Sequence, residues 1–244
     1  ILSERKDILL SRSGKKIEVV AVSSQDRHID RGIDLSGVEW VDDARKLCLM
    51  PNVDVVVELI GGAEGIAKDI AEATVTNSKY FVTANKALIA HYGDELGKNA
   101  EKNDVSIGFE AAVAGGIPII KTLREGLGGN QFTRVYGILN GTCNYILSEM
   151  RETGRDFKDV LTDAQALGYA EADPSFDIDG IDAAHKLSIL ASIVFQTKIN
   201  FEAIHTEGIR FISPIDLEFA TELGFRIKLL GIAEIKDEVI QQRV

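Results

Sequence analysis

The chain has 244 residues, with 27 Lys plus Arg against 38 Asp plus Glu and a net charge of −11. That length holds one large domain or two small ones around a sizeable core, and the acid excess excludes sequence-independent binding to nucleic acid or to an anionic membrane. Charged residues break every apolar run short of a membrane span, and the two cysteines, Cys48 and Cys143, form neither a CxxC nor a metal-ligand spacing, which points to a reducing, cytoplasmic setting rather than a disulfide scaffold.

Residues 1–11 (ILSERKDILLS) read as the back half of an amphipathic helix and are too charged for a signal peptide. With no Met at one end and a strand pattern, EVIQQRV, stopping at the other, the sequence reads as a fragment lacking material at both ends. Residues 17–23 (IEVVAVS) predict a buried strand. Residues 43–50 have helical character and stop at Pro51. A second buried strand is expected over 53–59 (VDVVVEL), ending in Ile60, Gly61 and Gly62. Helical spacing follows over 64–75, then a strand over 80–83, a helix opened by Asn85 and Lys86, and a strand over 105–109. Strands alternating with helices indicate βαβ units and a parallel sheet, with ligands at the carboxyl ends of the strands.

The pattern changes near Pro118. A helix over 118–125 runs into Gly126, Gly128 and Gly129, and a strand over 134–139 meets Asn140, Gly141, Thr142 and another helix. A helix over 156–167 ends at Gly168, and an acidic loop spans 171–179. A long apolar helix is expected over 181–195. From Ile209 the pattern reads strand, helix from Pro214, strand, strand, which makes an α+β second domain. There is no repeat and no flexible linker.

Asp182 and Lys186 stand at i, i+4, on one face of a helix whose other residues are mostly apolar. An isolated pair of this kind is ordinarily a solvated ion pair of little energetic weight. Here the apolar surroundings predict a partly buried Lys, suited to proton transfer. Glu171, Asp173, Asp177 and Asp179 crowd the acidic loop; they suit a cation, an ammonium group or simple Asx turns, and their spacing is not that of an EF-hand. Lys86, with Thr83, sits at a strand-to-helix turn on the ligand edge of the sheet, where it either meets a ligand or only starts the helix. None of the glycine clusters makes GxGxxG after a strand. Cys143 reads as a small buried thiol, and His28, His91, His185 and His205 stand apart without metal spacing, His185 as a helix-surface residue.

Five segments together resemble homoserine dehydrogenase of the single-function type: VDVVVELIGG (53–62), VTANKALI (82–89), EAAVAGGIPIIKTLRE (110–125), GILNGTCNYIL (137–147) and LGYAEADPSFDIDGIDAAHKLSI (167–189). The last is the most specific. The resemblance implies an α/β chain: a Rossmann-type nucleotide-binding domain over 1–116, without its first strand and Gly-rich loop, then an α+β catalytic and dimerisation domain over 117–244 without its C-terminal part. It implies reversible NAD- or NADP-dependent hydride transfer between L-homoserine and L-aspartate 4-semialdehyde, in a homodimer or homotetramer. Lys186 would be the proton donor and Asp182 would hold substrate. Thr83 and Lys86 would lie at the nicotinamide, Lys86 binding substrate as well, and Glu171 with Gly168 where cofactor meets substrate. Thr142, Tyr169 and Asp177 would line the substrate pocket. A sodium site, mostly of backbone carbonyls, would fall on Glu110, Val113, Gly115 and Ile117. Gln25 and Ile29 stand where relatives tend to carry Arg and Lys, which suggests weakened NADP preference with NAD usable, though Arg27 and Arg31 remain. Two alternatives stay open: a phosphorylating semialdehyde dehydrogenase using Cys143, and a non-catalytic amino-acid-binding or assembly fragment.

Overall fold

The computed structural model describes residues 1–244. It divides into two compact units. The first comprises Ile1–Glu58, Glu64–Val82 and Leu96–Gly108, and the second Leu59–Ala63, Thr83–Glu95 and Phe109–Val244.

In the first unit, α1 (Lys6–Ser13) is a helix as expected, but it buries no residue, so it is not amphipathic in effect. Strand β1 is only Ala21–Val22, paired in parallel with β2 (Glu39–Trp40), a strand too short to leave a sequence signal. The expected burial of residues 17–23 is corrected: in a two-stranded sheet Ile17 and Val19 remain about half exposed. Residues Ala44–Leu49 form a 3-10 helix rather than an α-helix, started by the Asp43 side chain accepting the Arg45 amide.

Strand β3 (Val55–Glu58) joins β4 (Tyr80–Thr83) and β5 (Ile107–Gly108) in a three-stranded sheet, with β4 and β5 parallel. The reading of β3 as a buried strand is also corrected. Val56 and Glu58 point inward, while Val55 and Val57 are exposed, because packing covers one face only. Helix α2 (Ile66–Thr76) covers that strand with Ala67, Ile70, Ala71, Thr74 and Val75, the i, i+3, i+4 stripe of an amphipathic helix. Phe81 on β4 is wholly buried, a burial that stabilises by about 1.5–3 kcal/mol.

Helix α3 (Lys86–Lys102) follows β4 directly, and its first half belongs to the second unit. That unit continues with α4 (Glu110–Val113) and α5 (Ile119–Lys121), which widens into a π turn over Thr122–Gly126 where the Leu127 amide reaches the Thr122 carbonyl. Strands β6 (Arg134–Gly137), β7 (Gly231–Lys236) and β8 (Val239–Arg243) form an antiparallel sheet in that order. Helix α9 (Ile181–Phe195) packs on it through Ala184, Leu187 and Ala191, against Val135, Leu139 and Ala233. Helices α6 (Gly141–Thr153), α7 (Phe157–Ala166), α8 (Ser175–Ile178) and α10 (Pro214–Glu222) share a second cluster that includes Ile146, Leu147, Met150, Val160, Ile178 and Leu217.

The acidic loop therefore contains a helical turn, α8. No strand forms at Ile209. Its amide bonds once to the Ile178 carbonyl and the chain turns back at Ile212, so no ladder develops, and Phe211 is exposed. This crossing demands glycine at 208: a Cβ there would stand 2.1 Å from the Ile178 carbonyl oxygen and 2.5 Å from the Asp179 Cα. Gly208→Ala is expected to destabilise by about 1–3 kcal/mol or more, as overpacking against backbone does, read as a lowered melting temperature.

Candidate active site

Helix α9 begins after Gly180, which takes the left-handed conformation at φ 82°. Its first turn buries Asp182 to 4% side-chain exposure. The two carboxylate oxygens serve two different lysines. Oδ2 receives Lys186 Nζ at 2.7 Å and Oδ1 pairs with Lys86 Nζ at 2.8 Å. Lys86 opens α3, whose amino end is capped by Asn85 Oδ1 accepting the Leu88 amide at 3.1 Å. Lys186 also donates to the Leu139 carbonyl at 2.9 Å, which leaves one of its three N–H groups to present to a ligand. Burial would raise the Asp182 pKa, but the hydrogen bonds from Lys186, Lys86 and Asn140 outweigh it and hold the carboxyl below its ordinary value. A solvated surface pair would have none of this burial.

Asn140 is the residue that sequence reasoning missed. It is buried, and its Nδ2 donates to Asp177 Oδ1 at 2.8 Å and to Asp182 Oδ2 at 3.0 Å. Its Oδ1 caps α6 by accepting the Cys143 amide at 2.8 Å. One amide thus ties two carboxylates together. An Asn before Gly-Thr and a helical run is a legible N-cap, but its second duty has no local signature. Cys143 Sγ donates to the Asp177 carbonyl at 3.1 Å, and burial, with the nearby Asp177, Asp182 and Asp179 charges, pushes its thiol up to about 12.

His185 is not the surface residue expected. It is 4% exposed, and neither ring nitrogen has a hydrogen-bond partner. Phe201, His91 and Phe176 surround it, with ring centroids 4.4, 5.3 and 5.4 Å away. Burial first, then His91 and Lys86, depress its pKa to about 4 from 6.5, against a smaller opposing pull from Asp182. The unfolded chain then takes up a proton near pH 6.5 that the folded chain resists to about pH 4. The fold is therefore expected to lose up to about 3 kcal/mol as pH falls through this window and to regain it above pH 6.5. Melting temperatures across this range check it, with His185→Phe predicted to flatten the slope.

The other expected site residues are placed as follows. Asp177 joins the cluster through Asn140. Thr142 Oγ1 donates to the Tyr169 carbonyl at 2.9 Å, and the exposed Tyr169 ring lies 4.7 Å from that of Tyr145. Gly168 turns the chain at φ 77°, and the Glu171 side chain is exposed, its carbonyl accepting from Gln165. Thr83 is buried, with its hydroxyl accepting the Asn85 amide.

The Glu110 carboxylate accepts the Ile120 and Lys121 amides at 2.7 and 2.9 Å and so anchors α5. Val113 is buried, whereas Gly115 and Ile117 are exposed. Their carbonyls offer hard oxygen donors, which fit a monovalent cation. No three His, Cys, Asp or Glu side chains gather as a metal cluster. Gly61 and Gly62, exposed just beyond β3, take φ 90° and 80°, which favours glycine. No helix is long and apolar enough to cross a membrane.

Comparison with known proteins places the chain in a family. The family model described as "Homoserine dehydrogenase" matches residues 118–244, and "Homoserine dehydrogenase, NAD binding domain" matches residues 3–110. The homoserine dehydrogenase of Neisseria gonorrhoeae is 49% identical over the whole chain, which covers 56% of that protein. The crystal structure of a homoserine dehydrogenase from Thiobacillus denitrificans superposes with a TM-score of 0.95 at 47% identity, over the whole chain and 56% of that structure. A hyperthermophilic archaeal homoserine dehydrogenase in complex with NADPH superposes with a TM-score of 0.70 at 30% identity, over 84% of this chain and 59% of that one. The chain thus spans a little over half the length of these relatives. With both parts of its sequence matched in order, and with the most specific segment supplying the buried Asp182–Lys186 pair, the chain belongs to the homoserine dehydrogenase family.

Proposed function

We propose that the protein is a homoserine dehydrogenase, catalysing reversible NAD- or NADP-dependent hydride transfer between L-homoserine and L-aspartate 4-semialdehyde in threonine, methionine and isoleucine biosynthesis. The observation that carries this reading is the Asp182 carboxylate, buried and shared by two lysine ammoniums. The nicotinamide, when bound, supplies or takes up the hydride. The chain's residues handle position, charge and the proton. In the reducing direction the aldehyde oxygen gains negative charge. The spare N–H of Lys186 stabilises that charge and gives its proton to the oxygen. In the reverse direction Lys186 takes the hydroxyl proton back. Asp182 fixes the Lys186 ammonium and holds substrate, and Lys86, Thr142, Tyr169 and Asp177 orient the amino acid.

Glu171, Gly168, Thr83 and, in its second role, Lys86 are assigned to the side where cofactor meets substrate. The match to the family's NAD-binding domain and the NADPH-bound archaeal relative support dinucleotide binding. A sodium ion held at Glu110, Val113, Gly115 and Ile117 would order the segment leading into α5. The nucleotide-binding domain is assigned to 1–116 and the catalytic and dimerisation domain to 117–244, in a cytoplasmic homodimer or homotetramer. The assay is reduction of NAD or NADP by L-homoserine with the intact protein. Absence of turnover with both cofactors would reject the reading.

The thiol-dependent alternative needs Cys143 as a nucleophile. A buried thiol raised to about 12 supplies almost no thiolate at neutral pH. Alkylation of the native protein is expected to leave Cys143 unmodified and activity intact, with modification only on unfolding. Loss of all activity together with alkylation at Cys143 would favour the alternative.

A further inference from the structure

The cluster around Asp182 has a second layer that the proton-transfer reading does not use. Lys86 Nζ lies over the Phe176 ring, 5.3 Å from its centroid. Phe176 in turn contacts His185, the imidazole with two unpartnered nitrogens. His185 touches His91, five residues further along α3 from Lys86, and Phe201. The imidazole therefore meets α3, α8 and the segment after α9 at one point. A buried ring without a hydrogen bond forgoes the usual reward of histidine, and leucine would fill such a site without that loss. An aromatic ring offers what leucine does not, edge and face contacts to three other rings.

We propose that His185 is a positioning residue that acts as an uncharged aromatic wedge: it sets the Phe176 ring, which together with Asp182 holds the Lys86 ammonium in the substrate pocket. The cation–ring contact and the ion pair divide the work. Asp182 Oδ1 sets the distance of the ammonium, and the ring restricts its swing. The charged and titratable groups facing His185 are His91 and Lys86 from α3 and Asp182 from its own helix; Phe176 and Phe201 close the remaining sides uncharged. The wedge therefore works with the imidazole neutral. Phenylalanine should replace it, and leucine should not.

The inference rests on the reading of Lys86 as a substrate-pocket residue, so its test has an arm that needs no turnover. In the intact protein, trace acetylation of lysines is followed by peptide mass spectrometry, with Lys102 as the internal standard. His185→Leu is expected to raise the labelling rate of Lys86 at least about fivefold relative to Lys102, and His185→Phe to stay within about twofold of wild type. Phe176→Leu, at a half-exposed position on a one-turn helix, gives the same release of Lys86 should His185→Leu fold poorly. In the homoserine assay, His185→Leu and Phe176→Leu raise the homoserine KM about fivefold with kcat within about twofold, and His185→Phe restores KM. Unchanged Lys86 labelling in both leucine variants overturns the proposal, and so does a His185→Phe variant as perturbed as His185→Leu. A wild-type protein inactive on homoserine overturns the dehydrogenase reading instead, and the labelling arm still decides the wedge.

Discussion

Lys186→Ala is expected to lower kcat about 10²–10⁴-fold, the range for a lost general acid, with cofactor binding nearly unchanged. The expectation follows from geometry. Lys186 Nζ is fixed by Asp182 at 2.7 Å and the Leu139 carbonyl at 2.9 Å, which aims its remaining N–H rather than leaving it to swing. That N–H interacts with negative charge on the substrate oxygen, which develops in the transition state, so the loss falls on kcat and kcat/KM alike. Lys186→Arg should not rescue, because guanidinium keeps its proton and its planar fork does not fit both acceptors. A surface ion pair predicts the opposite, a stability change below about 0.5 kcal/mol with normal turnover. Steady-state kinetics on the intact protein, with thermal melts as control, separate the two. A well-folded Lys186→Ala protein keeping more than about a third of wild-type kcat would remove Lys186 from the mechanism.

Asp182→Asn is expected to cost both stability and activity. The substitution leaves the Lys86 and Lys186 ammoniums close together without a counter-charge, one of them 19% exposed and the other 32%. Breaking a fully buried pair from one side costs about 3–5 kcal/mol. Partial exposure of the lysines reduces this to about 2–3 kcal/mol, since water screens part of the repulsion. Turnover should fall by about 10²-fold or more, because the proton donor is no longer aimed. The acid response also changes. The folded-state pKa of Asp182 lies below its ordinary value of 3.8, so its stabilisation is present above pH 3.8 and is lost as pH falls through the lower folded value. The variant should lack this limb while keeping the one due to His185. Denaturant titrations at neutral and acid pH test it, and an Asp182→Asn protein as stable and active as wild type would separate this carboxylate from the site.

Much of the site was legible because it is local. Asp182 and Lys186 are one helical turn apart, and α9 has the bounds its apolar run predicts. Strand β4 was equally plain, a compact YFVT run between polar residues. The partnership of Lys86 with the same carboxylate was not legible, because it joins helices far apart in the chain and only packing reveals it. Asn140 was read only as a residue between a strand and a helix, because its bridge to Asp177 and Asp182 leaves no local trace. His185 was misplaced for a related reason: a histidine beside a lysine looks wet until α3 and α8 close over it. Strand β3 misled through composition, since an unbroken run of valines conceals that one face alone is covered. The strand expected at Ile209 failed because β-branched residues there serve a single backbone crossing rather than a ladder.

The shared carboxylate makes Lys86, Asp182 and Lys186 one unit of inheritance. Each lysine holds Asp182 in place for the other, so the cost of losing one depends on whether the other is still present. In a double-mutant cycle, Lys86→Ala and Lys186→Ala should couple, and their combined effect on stability should exceed the sum. Once one lysine is gone, the remaining pair is a simple one-to-one ion pair, and the loss of the second leaves a buried carboxylate with no counter-charge. Drift away from the triad is therefore steepest at its second step.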